Sequence, residues 1–247
     1  MAPRSSRSET SWALLVTCEH GGNRVPPRYR ALFREHGELL RSHRGFDAGA
    51  LATARLIART LSAPLVDATV TRLVVDLNRT ERSATRFSEI TRPLSDEERD
   101  RILRDHYQPH WNAVRRALSR LRERPRVTTV LHVASHSFTP VWKGRERRTD
   151  IGLLFDPQRA SEARFARIWQ RELRRLAPEL AVHRNAPYRG WTDGMTSELR
   201  RGLPAARYLG FELEVNQRLL RDASRWRRQQ RAVVRALAAA IEVASSR

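Results

Sequence analysis

Short apolar runs of strand length alternate with longer amphipathic stretches along most of this chain, and that alternation restricts the fold more than any single motif does. The apolar runs are ALLVTC (13 to 18), PLVDA (64 to 68), RLVVDL (72 to 77), VTTVLHVAS (127 to 135), IGLLF (151 to 155) and YLGFELEV (208 to 215). Helical periodicity fills 47 to 61, 95 to 122, 159 to 176 and 219 to 244. Strands separated by helices have both sheet faces covered, which predicts an α/β protein: a three-layer α/β/α sandwich around a mostly parallel sheet. Within PLVDATVTRLVVD the two runs lie too close for a crossover helix, so one antiparallel hairpin, and with it a mixed sheet, is expected there. The stretches at 143 to 149 and 184 to 207 read as surface loops.

A length of 247 residues suits one domain with an ample core, expected over 12 to 247 behind a short polar tail at 1 to 11. The one cysteine, Cys18, excludes a disulfide scaffold and cysteine-rich metal sites and points to a reducing compartment. With no hydrophobic signal segment and no run long enough to cross a membrane, the expected setting is the cytoplasm. The formal charge is +20, and of the 47 basic residues only Lys143 is not arginine. The arginines are spread over nearly every helix rather than clustered among aromatics, so the charge reads as a compositional habit and not as a nucleic-acid surface. Its field would still draw in anionic substrates.

In sheets of this kind ligands bind beyond the carboxyl ends of the strands. Four polar clusters fall there: CEHGGNRVP after the first run, DLNR after the third, SHSFTP after the fourth and EVNQR at the last. In the first, Gly21 and Gly22 let the backbone turn sharply beside His20. Cys18 and His20 share strand parity but stand ~6.6 Å apart, too far for a thiol–imidazole pair, and Cys18 reads as a buried small hydrophobe. His132 and His136 share parity at ~13 Å and cannot both hold one metal, so His136, nearer the strand end, is the candidate ligand and His132 a satisfied core residue or a support behind a ligand. Arg79 offers a planar fork to a carboxylate, with a turn salt bridge to Asp76 as the structural alternative. Glu212 and Glu214 share one face of the last run, where a carboxylate is costly unless paired or coordinated, and Glu214 lies closer to the strand end. Two histidines, an Asp and a Glu converging on one sheet edge suggest a mononuclear metal hydrolase.

The motifs CEHGGNRVP, HRGFDAGA, DLNR, HSFTP, NAPYRG and LEVN occur in this order from about 16 to 220. On them the chain resembles the N-formylglutamate amidohydrolase family, itself similar to the zinc carboxypeptidase and aspartoacylase group. The resemblance implies a zinc-exopeptidase-like fold, one divalent metal ion, expected to be zinc, and hydrolysis of the amide of a small anionic N-acyl amino acid, removing a formyl or other small acyl group from an acidic amino acid. It implies His20 and His136 as metal ligands, Glu214 as the catalytic glutamate, and Asn78 and Arg79 as the pair that holds the substrate carboxylate, with Arg79 also placed to act in catalysis. Where the wider group has a glutamate ligand in H-x-x-E, this chain has Asn23. Asp47 of HRGFDAGA matches an acidic family position and supplies a hard oxygen, so the third ligand is Asp47 or Asn23. His43, one turn before Asp47, is a candidate support for it, while His110 matches a position of structural role beside Pro109, which marks a helix start or kink. Tyr188 and Arg189 of NAPYRG are expected to shape the pocket and to bind a carboxylate. The competing reading is an inactive scaffold that binds nucleic acid or another polyanion through its arginines, with Asn23 a mark of lost metal binding.

Overall fold

The structure, a computed structural model, describes residues 11–246. The tail expected at 1 to 11 lies outside the described residues except for Ser11, which opens the first strand. The strands are β1 (Ser11–Cys18), β2 (Leu65–Asp67), β3 (Val127–Phe138), β4 (Val141–Trp142), β5 (Arg145–Glu146), β6 (Ile151–Leu154), β7 (Val182–Arg184) and β8 (Tyr208–Asn216). Six of them form one sheet in the order β2-β1-β3-β8-β6-β7, and β4 and β5 form a separate two-stranded hairpin. Every pairing in the large sheet is parallel except β6 with β8. The chain leaves β1 for β2 on one side and returns to β3 on the other, so a topological switch point lies between β1 and β3.

The helices are α1 (Gly37–Arg41), α2 (Ala50–Thr60), α3 (Asp96–Ile102), α4 (Gln108–Arg122), α5 (Ala160–Leu176), α6 (Met195–Arg201) and α7 (Ala223–Ser245). Strand alternation divides the core in two. Leu14 and Val16 of β1 pack with Ile57 of α2, Trp169 of α5 and Leu237 of α7, whereas Ala13 and Leu15 pack with Trp111 and Val114 of α4 and Leu199 of α6. Between α3 and α4 the helix widens into a π turn at Leu103–Tyr107, directly before Pro109, whose missing N–H breaks the regular ladder. Among the described residues no helix is long and apolar enough to cross a membrane.

The hairpin expected within 64 to 77 does not form. Residues 65–67 join β1 in parallel, and the mixed character of the sheet comes from β6 and β8 instead. RLVVDL folds as buried turns: Leu73, Val74, Val75 and Leu77 fill the second core while side chains satisfy the backbone. Ser88 Oγ donates to the Leu73 carbonyl at 2.5 Å and Thr91 Oγ1 to the Val74 carbonyl at 2.9 Å. A short apolar run buried in this way looks the same in sequence as a strand.

His132 is, as expected, a core residue. Its Nε2 lies 2.9 Å from Thr17 Oγ1 and its Nδ1 2.7 Å from Tyr208 Oη, and it is fully buried. Burial pushes its pKa down to about 4, below the ~6.5 of an unfolded chain. Between these values the unfolded state binds the extra proton, so this contribution to stability is complete above pH ~6.5 and is lost as the pH falls toward 4. The loss is on the order of 3 kcal/mol. Denaturant titrations from pH 7 to 4 should show this slope in the parent and a slope flatter by nearly one proton in His132→Gln; identical slopes would contradict it.

Candidate metal centre and active site

Beyond the end of β1 the chain runs against the segment that follows β2. Gly21 N donates to the Ala68 carbonyl at 3.0 Å, and a Cβ on Gly21 would stand 2.8 Å from that same oxygen. The missing side chain therefore lets the backbone turn immediately after His20. Asp47 N donates to the His20 carbonyl at 2.9 Å, which ties the entry of α2 to the end of β1. Gly49, at φ +80°, makes the left-handed turn into α2. On the neighbouring strands His136 of β3 and Glu214 of β8 are register partners, and Gly152 of β6 faces Glu214 from the other side.

These elements bring His20, Asp47 and His136, all buried, to one point. Asp47 Oδ2 lies 3.0 Å from His136 Nδ1 and 3.4 Å from His20 Nδ1, and one ligand atom from each residue falls within 4.8 Å of the others. Two ligands of one tetrahedral zinc ion stand about 3.3 Å apart. The opposite ring nitrogens face carboxylates: His20 Nε2 is hydrogen-bonded to Asp76 Oδ1 at 2.7 Å, and His136 Nε2 stands 3.1 Å from Glu19 Oε2 as an ion pair. A carboxylate behind each imidazole is the arrangement that orients histidine ligands and fixes their tautomer. Among the described residues His20 Nδ1 is buried without a hydrogen-bond partner, as a nitrogen kept for an ion would be. Asn23, the other candidate third ligand, is exposed and donates to the Leu40 carbonyl at 3.1 Å, outside this cluster.

The electrostatics point the same way. Burial alone would raise the Glu19, Asp47 and Asp76 carboxyls, yet all three are held well below the ordinary range. The imidazoles of His110 and His136 do this for Glu19, those of His20 and His136 for Asp47, and Arg72 with His20 for Asp76. Arg72 donates to Asp76 Oδ2 at 2.7 Å and to Asp47 Oδ1 at 3.4 Å. Glu214 behaves differently: burial, reinforced by the charges of Asp47 and Glu212, pushes it up to about 8 despite the pull of His136. Its Oε2 is buried with no hydrogen-bond partner among the described residues. Burial opposes the charged form of His136, yet Asp47 and Glu19 hold its imidazole well above the ordinary value, and a divalent cation in the same place would supply that positive charge.

His20, Asp47, Asn78, Arg79, His136, Tyr188 and Glu214 all line one cavity of about 520 Å³. Asn78 is already engaged: its Oδ1 accepts from Met195 N at 2.8 Å and its Nδ2 lies 3.5 Å from Glu212 Oε1. Arg79 does not form the turn salt bridge with Asp76; its Nη1 donates to the Asp193 carbonyl at 2.8 Å, and Tyr107 Oη supports the Arg79 carbonyl at 2.8 Å. Arg189 is exposed, stacks on Trp191 with 5.7 Å to the ring centroid, and is not part of the lining. His43 reaches Asp47 Oδ1 at 3.4 Å, and His110, buried on α4, stands 3.9 Å from Glu19. Sequence reasoning passed over three site residues: Glu19, Arg72 and the supporting role of Asp76. Glu19 is readable as the neighbour of His20. Arg72 meets Asp47 and Asp76 through tertiary folding of a segment that reads as a strand.

With this geometry in place, the likeness to known proteins can be assigned. The N-formylglutamate amidohydrolase family model matches residues 12–221. The chain belongs to that family. The amidohydrolase is accordingly a hydrolase of C–N amide bonds other than peptide bonds. It is similar to the crystal structure of a gene product of Agrobacterium tumefaciens, with 29% identity, a TM-score of 0.76, and coverage of 97% of this chain and 92% of that one. It also shares its fold with the N-formylglutamate amidohydrolase of Ralstonia eutropha, with 20% identity, a TM-score of 0.63, and coverage of 91% and 93%. No curated protein sequence matches the chain.

Proposed function

We propose that this protein is a zinc-dependent amidohydrolase of the cytoplasm, carried by a single domain over 12 to 247, that removes an acyl group from a small anionic N-acyl amino acid. One observation carries the reading: two imidazole nitrogens and a carboxylate oxygen gathered within 4.8 Å, beside a buried carboxyl group on the adjacent strand with an unpartnered oxygen. His20, Asp47 and His136 would hold the ion. When bound there, a divalent cation acidifies a water, polarises the acyl oxygen and lowers the pKa of Glu214. Glu214 takes the proton of the attacking water and delivers it to the leaving nitrogen. The water oxygen joins the acyl carbon, the C–N bond breaks, and a free amine and a carboxylate result. Arg79, with one edge of its guanidinium turned to the Asp193 carbonyl, presents the rest of its fork to the substrate carboxylate. It also lies in the cavity that must accommodate the charge developing on the acyl oxygen.

The test pairs metal content with turnover. Protein purified without chelator should carry close to one zinc per chain, and His20→Ala and His136→Ala should each weaken zinc affinity by more than about 100-fold, since even outer partners of a metal ligand are worth ~10–100-fold. Full zinc occupancy in either variant removes that residue from the site. Hydrolysis of N-acyl amino acids that stops on chelation and returns with zinc supports the reaction; turnover indifferent to chelation contradicts it.

A further inference from the structure

The large apolar side chains that this fold leaves exposed are gathered beside the site. Among the described residues Val141, Trp142, Tyr188 and Trp191 all belong to the β4–β5 hairpin and the 185–194 loop, with Leu32 alone elsewhere. Single exposed apolar residues need no explanation, but a cluster at a cavity mouth marks a binding surface. Trp142, 55% exposed, and Tyr188 line the cavity itself. Their wall is held in place by Arg147, whose guanidinium carbon lies 5.2 Å from the Trp142 ring centroid, 5.0 Å from that of Tyr188 and 5.4 Å from that of Phe138. Arg147 Nη1 also donates to Tyr188 Oη at 3.0 Å and to the Thr139 carbonyl at 3.3 Å. A different segment supplies Arg79 and Arg92 to the same lining. A carboxylate held by these arginines leaves the aromatic part of the cavity to the other side of the amide. A formyl group is too small to use it, and about 520 Å³ is ample for a larger ligand.

The geometry points to an aromatic acyl group as the unit removed: an arylacyl amino acid, of which phenylacetylglutamate is a representative, with its ring against Trp142 and Tyr188 and its carboxylate at Arg79. This rests on the hydrolase reading above. Water adds to the acyl carbon, the C–N bond breaks, the nitrogen takes the proton, and the products are an aryl carboxylate and a free amino acid.

Steady-state kinetics of the zinc-loaded enzyme on phenylacetylglutamate and formylglutamate decide the matter. In the parent, kcat/KM should favour the phenylacetyl substrate at least tenfold. In Trp142→Ala that ratio should collapse toward one through a rise in the phenylacetyl KM, and Trp142→Phe should restore most of it. A parent ratio at or below one, or a high ratio that Trp142→Ala leaves untouched, overturns the proposal. If neither compound is hydrolysed, the hydrolase reading fails on its own, and calorimetry with phenylacetylglutamate and acetylglutamate still decides the aromatic seat. At least tenfold tighter phenylacetyl binding that Trp142→Ala removes supports it, and equal affinities overturn it.

Discussion

A Glu214→Gln enzyme is expected to fold and bind zinc like the parent yet to turn over about 10²- to 10⁴-fold more slowly, the usual worth of a positioned acid–base group. The amide has the size of the carboxyl group it replaces but cannot take a proton from water. Glu214 suits the role because it is 5% exposed, lies beside His136 in the sheet, and keeps Oε2 without a hydrogen-bond partner among the described residues. Burial already favours its protonated form, pushing the pKa up to about 8, so the same group can give the proton back to a leaving amine. Glu212 is the matched control two residues earlier: its Oε1 lies 3.4 Å from Thr196 Oγ1 and 3.5 Å from Asn78 Nδ2, partners that Gln can also serve. Measuring kcat, bound zinc and melting temperature for both variants separates chemistry from folding. An unchanged kcat in Glu214→Gln, or an equal loss in Glu212→Gln, would move the base elsewhere.

The alternation of periods was enough to read the layered α/β architecture, because each apolar run in β1, β3, β6 and β8 and each of the four long amphipathic stretches maps onto a real element. Two segments were misread: 184 to 207, taken for a surface loop, holds α6 with Met195 and Leu199 in the core, and in 72 to 77 buried turns and a strand demand the same apolar residues, so that only the tertiary hydrogen bonds from Ser88 and Thr91 distinguish them. The candidate site was legible in the same uneven way. His20, His136 and Glu214 follow from strand ends, whereas Asp47 entered through the family resemblance as an oxygen that a two-histidine set lacks. Arg72 was out of reach, because it holds Asp47 from a segment brought there only by folding, and Glu19, although it adjoins His20 in sequence, shows its contact with His136 only in the fold. Arg189, chosen from the same motif as Tyr188, shows the limit of motif reading: adjacent residues in a loop face different surroundings, and this one stands outside the cavity.

Glu162→Ala should be the most destabilising single substitution considered, costing about 3–5 kcal/mol and lowering the melting temperature by roughly 6–20 °C for a chain of this size. Glu162 of α5 is fully buried and accepts from Arg200 Nε at 3.0 and 3.1 Å, from Gly210 N at 3.0 Å and from Asp156 N at 2.9 Å. Arg200 in turn gives its two terminal nitrogens to the carbonyls of Gly190 and Gly210, each at 2.6 Å. Truncation strands a buried guanidinium and two backbone donors at once, and such losses dominate the mutational tail. Removing the charge from both partners, as Glu162→Gln with Arg200→Met, leaves no buried ion, so the double variant should lose less than the two single substitutions together. The Gly190 carbonyl, however, loses its donor at 2.6 Å and keeps only Ser197 Oγ at 3.5 Å, and Gly190 stands two residues after Tyr188, which lines the cavity. The double variant should therefore regain stability without regaining function, with KM still raised while the melting temperature approaches that of the parent. Denaturation and kinetics on all four proteins test this: strict additivity in stability, or recovery of KM together with the melting temperature, would show that the pair neither acts as a unit nor positions the loop.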